Sequence, residues 1–446
     1  MAFDLVLRRG RLAATPGLVD IGIAAGVIAA VGRDLQPSGR EELVLDGRVV
    51  LPAFVDAHLH PDKAFTAAAL GSASSVEEAS ERFGRYRLTR SQEDLRRSIE
   101  RSLALLVSQG VGTVRAHADV DDAVGLRALE ALLEARQTWG DHIEVQAVAF
   151  VTRRAAGRFA EAQSLLREAL ACGPDLLGGT LTGVPAAPAV LQGLCELAAA
   201  HNVRLDLHID ETDDPAAPCL LEAVPGAARA HGLEGRITAS HCCLLGCLPT
   251  EAARRIAARL READVSVVTL PLTNLYLQGR RPGGAAVRGV TAVRTLLEAG
   301  VPVAAGSDNL RDPYSPYGDG DPLTTALLAG VAAHLSPSET LALVTTGGAR
   351  VLGLNRYGVG VGDRADLVVI ETDTPEEVVA ARPSRRHVFH RGQLVAESTF
   401  THRLLAPRPA EGGPCGRRSR PCGTVPPGLS DGPAGRDTGE EGAADP

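Results

Sequence analysis

The feature that most narrows the fold of this chain is a repeated alternation through its long middle part. Short apolar runs follow one another: FVDAHLH (54–60), TVRAHAD (113–119), EVQAVAF (144–150), DLLGGTL (175–181), RLDLHIDE (204–211), RITASHC (236–242), VSVVTL (265–270) and VPVAAGSDN (301–309). Runs of this length, bounded by turn-forming residues, read as buried strands. Helical patterns lie between them. In SQEDLRRSIERSLALLVSQG, Leu95, Ile99, Leu103 and Leu106 recur at helical spacing, Ser91 can cap the start, and Gly110 stands just past the end. Alternating strand and helix implies a parallel sheet with right-handed crossovers. Eight repeats imply an α/β chain closed into a (β/α)8 TIM-like barrel over residues 51–359, with its chemistry at the carboxyl ends of the strands.

The flanks differ. Residues 1–50 are short β signals broken by glycine, and similar signals return over 360–405 in ADLVVIETD and RHVFHRGQLVAES. Both ends of the chain are therefore expected to join into a small β-sandwich domain. From 406 to 446 the sequence is rich in Pro, Gly and charge with little to bury, which reads as a disordered tail.

Placed on the barrel, the polar residues of these runs gather. His58 and His60 end the first strand and share a face, because a strand alternates with period two. His208 and Glu211 end the fifth strand, His241 the sixth and Asp308 the eighth. All these ends lie on one rim. Three imidazoles and a carboxylate suit one divalent transition metal, Zn or Fe, with a position left for water. Alone, an HxH pair is weak evidence, His241 could be a hydrogen-bonded core histidine, and Asp308 could be a helix cap. Their joint placement at strand ends is the specific signal. His117, ending the second strand, suits a supporting or a structural role equally. Lys63, three residues past His60, is the only lysine in the chain.

Other readings are excluded by simpler features. The net charge of −8 opposes a nucleic-acid footprint. There is no apolar run of the roughly 18 residues that a membrane helix needs. The opening MAFDLVLRRG lacks the basic-then-apolar order of an export signal, so a cytoplasmic location is expected. Cys172, Cys195, Cys219, Cys242, Cys243, Cys247, Cys415 and Cys422 contain no CxxC pair, which favours reduced thiols. Cys242, Cys243 and Cys247 lack the second pair that a structural zinc site uses.

The local motifs HLHPDKAFT, VRAHADVD, LHIDETDD, TASHC, LYLQGR and GSDNLRDPYSPYGDGD resemble those of the amidohydrolase superfamily, and most closely its cytosine-deaminase-like branch. The resemblance runs from the opening β segments to GVGVGDRADLVVI at 358–370. It implies His58, His60, His208 and Asp308 as metal ligands. It implies Glu211 as the proton shuttle, His241 as the residue orienting water, and Asp308 also as general base. The reaction implied is hydrolytic replacement of a ring amino group, with ammonia released. A bridging carbamate would belong on strand four, where DLLGGTL offers no lysine, glutamate or cysteine, so a single ion is expected. Lys63 is left to pair with Asp62 or another acid, or to line the substrate mouth. A homo-oligomer is expected by analogy alone.

Three positions depart from the cytosine-deaminase pattern. Thr152 stands where a glutamine reads the pyrimidine edge, Asn309 where a second aspartate follows the metal aspartate, and Tyr314 where a tryptophan covers the substrate. A site built around other hydrogen-bond partners leaves cytosine with unpaired polar groups. The expected substrate is therefore another nitrogen heterocycle or a cyclic amidine. One alternative is release of an alkylamine from a triazine-type ring. A second is a non-catalytic metal-binding barrel.

Overall fold

The computed structural model describes residues 2–36, 39–280, 289–399 and 403, and within them all eight expected strands form. They are Phe54–Leu59, Val111–Val120, Glu144–Val151, Leu176–Thr180, Arg204–Ile209, Ile237–His241, Ser266–Thr269 and Val303–Ala305, strands one to eight of a barrel. Each pairs in parallel with its successor, in chain order. That order is what right-handed helical crossovers produce. The eighth strand is shorter than its apolar run, because the chain turns away after Ala305.

The ring closes between strands one and eight through one parallel bridge, Leu59 to Asp308. There the His60 N–H donates to the Asp308 carbonyl (2.9 Å) and the Asp308 N–H to the His58 carbonyl (2.8 Å). Gly306 permits this approach, since a Cβ at that position would lie 2.8 Å from the Cβ of His58. The seam of the barrel is thus made by the backbone of residues whose side chains are candidate ligands.

The helices form where periodicity and caps place them. Helix Gln92–Ser108 begins at a capping box in which Ser91 accepts from the Asp94 N–H and Asp94 reaches back to Ser91. Its Leu95, Ile99, Leu103 and Leu106 are buried against the barrel as part of one continuous core. Truncating any of them to alanine is expected to cost about 2–5 kcal/mol.

The two ends of the chain form a second, mixed sheet. Phe3–Arg11, Leu18–Ala24, Val27–Gly32, Gly39–Val44 and Val49–Pro52 come from one end, and Leu367–Ile370, Arg385–His390 and Gln393–Glu397 from the other. The ends meet where Val49–Pro52 pairs antiparallel with Leu367–Ile370. This sheet has a core of its own, including Leu7, Ile21, Ile23, Ile28, Leu367 and Val369. The segment expected to be a tail, 406–446 with Cys415 and Cys422, lies outside the described residues. Among the described residues, no helix is long and apolar enough to cross a membrane.

Candidate metal centre and active site

Each histidine of the rim is brought in by its own strand end. The Nε2 atoms of His58, His60 and His208 converge, at 3.4 Å (His58 to His60), 3.1 Å (His58 to His208) and 2.9 Å (His60 to His208). Asp308 Oδ1 completes the group at 3.7 Å from His58 Nε2 and 3.6 Å from His60 Nε2. All four residues are buried. Donors about 2.0–2.1 Å from a tetrahedral ion would stand roughly 3.3 Å from one another, which matches these separations. Hydrogen bonding among the rings cannot account for the cluster. Burial, with Lys63 next for His60 and His58 next for His208, holds both imidazoles well below the ordinary histidine value, so they are neutral. Three facing nitrogens cannot satisfy one another with the protons that neutral rings carry, whereas a cation can use every lone pair.

His241 and Glu211 stand beside this cluster. Glu211 Oε1 is 3.4 Å from His241 Nδ1, and the Asn274 amide nitrogen is 3.2 Å from the same atom. His241 Nε2 is buried without a hydrogen-bond partner. Glu211 lies on a loop past strand five, its N–H held by the Thr182 hydroxyl (3.0 Å). Burial, then the nearby Asp308 carboxyl, pushes the Glu211 carboxyl up to about 8. Two rim residues take left-handed backbone conformations that side chains disfavour: Asp308 at φ 61° and His241 at φ 69°. Such conformations cost on the order of 1–3 kcal/mol and gather at functional sites.

Beneath the ligands lies a layer of side chains of which sequence reasoning singled out only His117. His58 Nδ1 is 3.1 Å from the Ser240 hydroxyl, which donates to Asp206 Oδ1 at 2.8 Å. Asp206 Oδ2 accepts from Arg115 at 2.8 Å. Arg115 is fully buried, and it also bonds Gln146, Thr238 and the Val351 carbonyl. Burial works against the Asp206 charge, but His117, His58 and Arg115 outweigh it and hold the carboxyl well below its usual range. His117 sits 3.3 Å from Asp206 and stacks on His58, with ring centroids 3.9 Å apart and planes at 29°. Near-parallel stacked rings cannot both present a lone pair in plane to one nearby ion. His117 and Asp206 are therefore a support for the centre, although together with His58 and His208 they lie close enough to suggest a second ion. The available signal was Arg115 and Asp206 each standing two residues before an inward-facing histidine on a buried strand.

A cavity of about 560 Å³ opens on the centre and is lined by His60, Lys63, His208, Glu211, His241 and Asp308 at its base. Lys63 settles into one of its walls. Its ammonium is 2.9 Å from Asp119 and 2.8 Å from His60 Nδ1. Asp119 also meets Arg87 at 3.3 Å, and Arg87 pairs with Asp121. Burial pulls the Lys63 ammonium down, but Asp119 and Asp62 outweigh it and keep it charged.

Thr152, Asn309 and Tyr314 all line the cavity, each with its polar group already engaged. The Thr152 hydroxyl donates to Asp121 (2.8 Å) and caps the short helix Arg153–Ala156. The Asn309 amide is held between the Thr273 hydroxyl (3.1 Å) and Asp312 (2.8 Å). The Tyr314 hydroxyl meets Ser80 at 3.0 Å. Cys242 and Cys243 are buried, and Cys243–Cys247 forms a 3-10 turn.

A parallel eight-stranded barrel whose rim gathers imidazoles and a carboxylate in this geometry defines a class, the metal-dependent barrel hydrolases. Comparison with known proteins narrows it. Residues 79–396 match the model of the Amidohydrolase family, and the chain belongs to that family of hydrolases acting on carbon–nitrogen bonds. It is 34% identical over 409 residues to a pterin deaminase of Rhizobium rhizogenes, covering 86% of this chain and 90% of that one. It is 29% identical over 410 residues to the N-isopropylammelide isopropyl amidohydrolase of a Pseudomonas species, covering 89% and 98%. The crystal structure of 5-methylcytosine deaminase from Klebsiella pneumoniae with 5-fluorocytosine superposes at a TM-score of 0.83 with 26% identity, covering 90% of this chain and 99% of that one.

Proposed function

We propose that this protein is a hydrolytic deaminase of a nitrogen heterocycle other than cytosine, using one divalent ion, Zn or Fe, held by His58, His60, His208 and Asp308. The observation that carries this reading is Glu211, a buried carboxyl that burial pushes up to about 8, placed beside the ligand cluster and 3.4 Å from His241. A bound cation supplies the acidity that makes hydroxide available from water near neutral pH. Asp308 accepts the proton that water gives up. Glu211 delivers a proton to the ring nitrogen or the departing amine. His241 presents a ring nitrogen towards the oxygen that becomes negative, a role that electrostatic stabilisation of the transition state requires. Water and a ring C–NH2 are thereby converted into a ring carbonyl and ammonia.

The exclusion of cytosine rests on other residues that line the cavity. The polar groups of Thr152 and Asn309 are already engaged with protein partners, and Lys63 with Asp119 supplies the charged face instead. The pterin deaminase likeness supports an amino-heterocycle, and the N-isopropylammelide likeness keeps alkylamine release as the second reading. The test is a release assay with enzyme loaded with Zn or Fe, over amino-pyrimidines, amino-pteridines, alkylamino-triazines and creatinine-like rings. Ammonia from a ring other than cytosine is the expected product. Alkylamine alone would replace this reading with the second, and efficient turnover of cytosine would overturn the exclusion.

A further inference from the structure

The cavity extends well past the metal end. Its volume of about 560 Å³ falls within the roughly 300–1,000 Å³ of pockets that enclose whole drug-sized ligands, several times what one six-membered ring fills. Its outer wall is helix Val76–Tyr86 and the residues just after it: Val76, Ser80, Phe83, Gly84, Arg87 and Leu88, together with the exposed Glu81–Arg85 ion pair. This wall is fixed to the barrel, by Ser80 to Tyr314 (3.0 Å) and by Arg87 to Asp119 (3.3 Å).

Two features of the wall lack a structural explanation. Gly84 sits inside a helix, where glycine is less stable than alanine. Its backbone needs no left-handed conformation, and a Cβ there would meet nothing within 4 Å. No packing constraint keeps a side chain out, and Gly84 itself lines the cavity. Leu88 is 55% exposed, a large apolar side chain left in water at the cavity mouth. Empty room over a helical glycine, bordered by an exposed leucine, suits a flat apolar surface lying along the helix.

We propose that Gly84 and Leu88 determine specificity by receiving the second ring of a fused bicyclic amino-heterocycle, whose amino-bearing ring faces the metal end. This rests on the deaminase reading above. The matched probes are 2-amino-4-oxopteridine and isocytosine, which share the 2-amino-4-oxo ring and differ by the second ring. For the wild-type enzyme, kcat/KM is expected to favour the fused compound by about 100-fold, the upper range of what added apolar contact provides. Gly84→Phe fills the space, and the ratio of the two kcat/KM values should fall at least about tenfold. Leu88→Ala, at an exposed position, tests the wall without threatening the fold; it should raise KM for the fused compound a few-fold and lower the ratio correspondingly. Equal wild-type rates on both rings, or variants that leave the ratio unchanged, would overturn the proposal. Should neither ring be deaminated, the release assay over the wider set of rings decides the deaminase reading. Binding to the metal-loaded protein then decides the inference by calorimetry. A fused-ring preference of tenfold or more that Gly84→Phe or Leu88→Ala reduces sustains it, and equal or absent binding overturns it.

Discussion

The rim of the barrel and the layer just beneath it hold the same kinds of side chain in opposite conditions. Below, Arg115 places hydrogen bonds on Asp206, Gln146, Thr238 and Val351, and Asp206 answers with Arg115 on one oxygen and Ser240 on the other. At the rim, three imidazole nitrogens face one another, and His208 Nδ1 and His241 Nε2 are buried without hydrogen-bond partners. A satisfied buried network rigidifies, and an unsatisfied one waits for something to bind. The Arg115–Asp206 network acts as a rigid floor beneath groups left open for chemistry, and within that layer His117 Nδ1 is the exception, buried without a hydrogen-bond partner.

The sharpest way to break that contrast is to remove the ion. Dialysis against a chelator should abolish turnover, and readdition of Zn or Fe should restore it with about one equivalent bound, measured by elemental analysis. The lower layer should survive this treatment, so the apoprotein should keep its circular dichroism spectrum. Loss of fold with the ion would show that the two layers are not independent.

Glu211→Gln acts on the rim alone. It should retain the metal and lower kcat by about 10²–10⁴-fold, the scale of a positioned proton carrier. In the wild type, burial raises the carboxyl to about 8, so the proton-carrying form is present below that pH and lost above it. Activity should therefore fall on the alkaline side, at a midpoint that a bound cation draws below 8. Full activity of the glutamine variant would remove Glu211 from its role.

Asp206→Asn acts on the floor. It leaves the Arg115 guanidinium buried without its counter-charge, at a cost of about 3–5 kcal/mol in unfolding free energy by denaturant titration. Through Ser240 it should also weaken metal binding by about 10–100-fold in chelator competition, the usual effect of a partner behind a ligand. Unchanged affinity alongside lost stability would make the floor a matter of folding only.

The smallest effect belongs to Thr152→Val. Losing the cap of helix Arg153–Ala156 should cost about 0.5–2 kcal/mol, seen as a lower Tm, with kcat/KM nearly unchanged. A large loss of kcat/KM without a change in Tm would restore Thr152 as a substrate contact.

The same contrast explains what could be read in advance. Strands are legible because burial on both faces leaves a near-continuous apolar run, and the rim residues stand out as polar interruptions at its end. The floor is harder to see. Arg115 and Asp206 interrupt runs in the middle, where a charge reads as an irregularity until the barrel brings strands two and five together. Lys63 had several possible acids near it in sequence, and its partner, Asp119, arrives from another strand. Thr152 followed by Arg-Arg-Ala after a strand is also a helix-start pattern, and that local chemistry claims its hydroxyl. Asn309 is held by Thr273 and Asp312, which only the folded loop brings together.

The seam between Leu59 and Asp308 bears on the order of events during synthesis. His58 and His60 leave the ribosome early, but their carboxylate partner comes from the last barrel strand, and its backbone closes the ring. Contacts between such distant parts of a chain form late, because the loop between them must first be ordered. On the proposed ligand set, a nascent chain exposes a two-histidine pincer long before it owns a complete cage. Full-strength capture of an ion must wait for the finished barrel, which ties the loading of the enzyme to the completion of its fold.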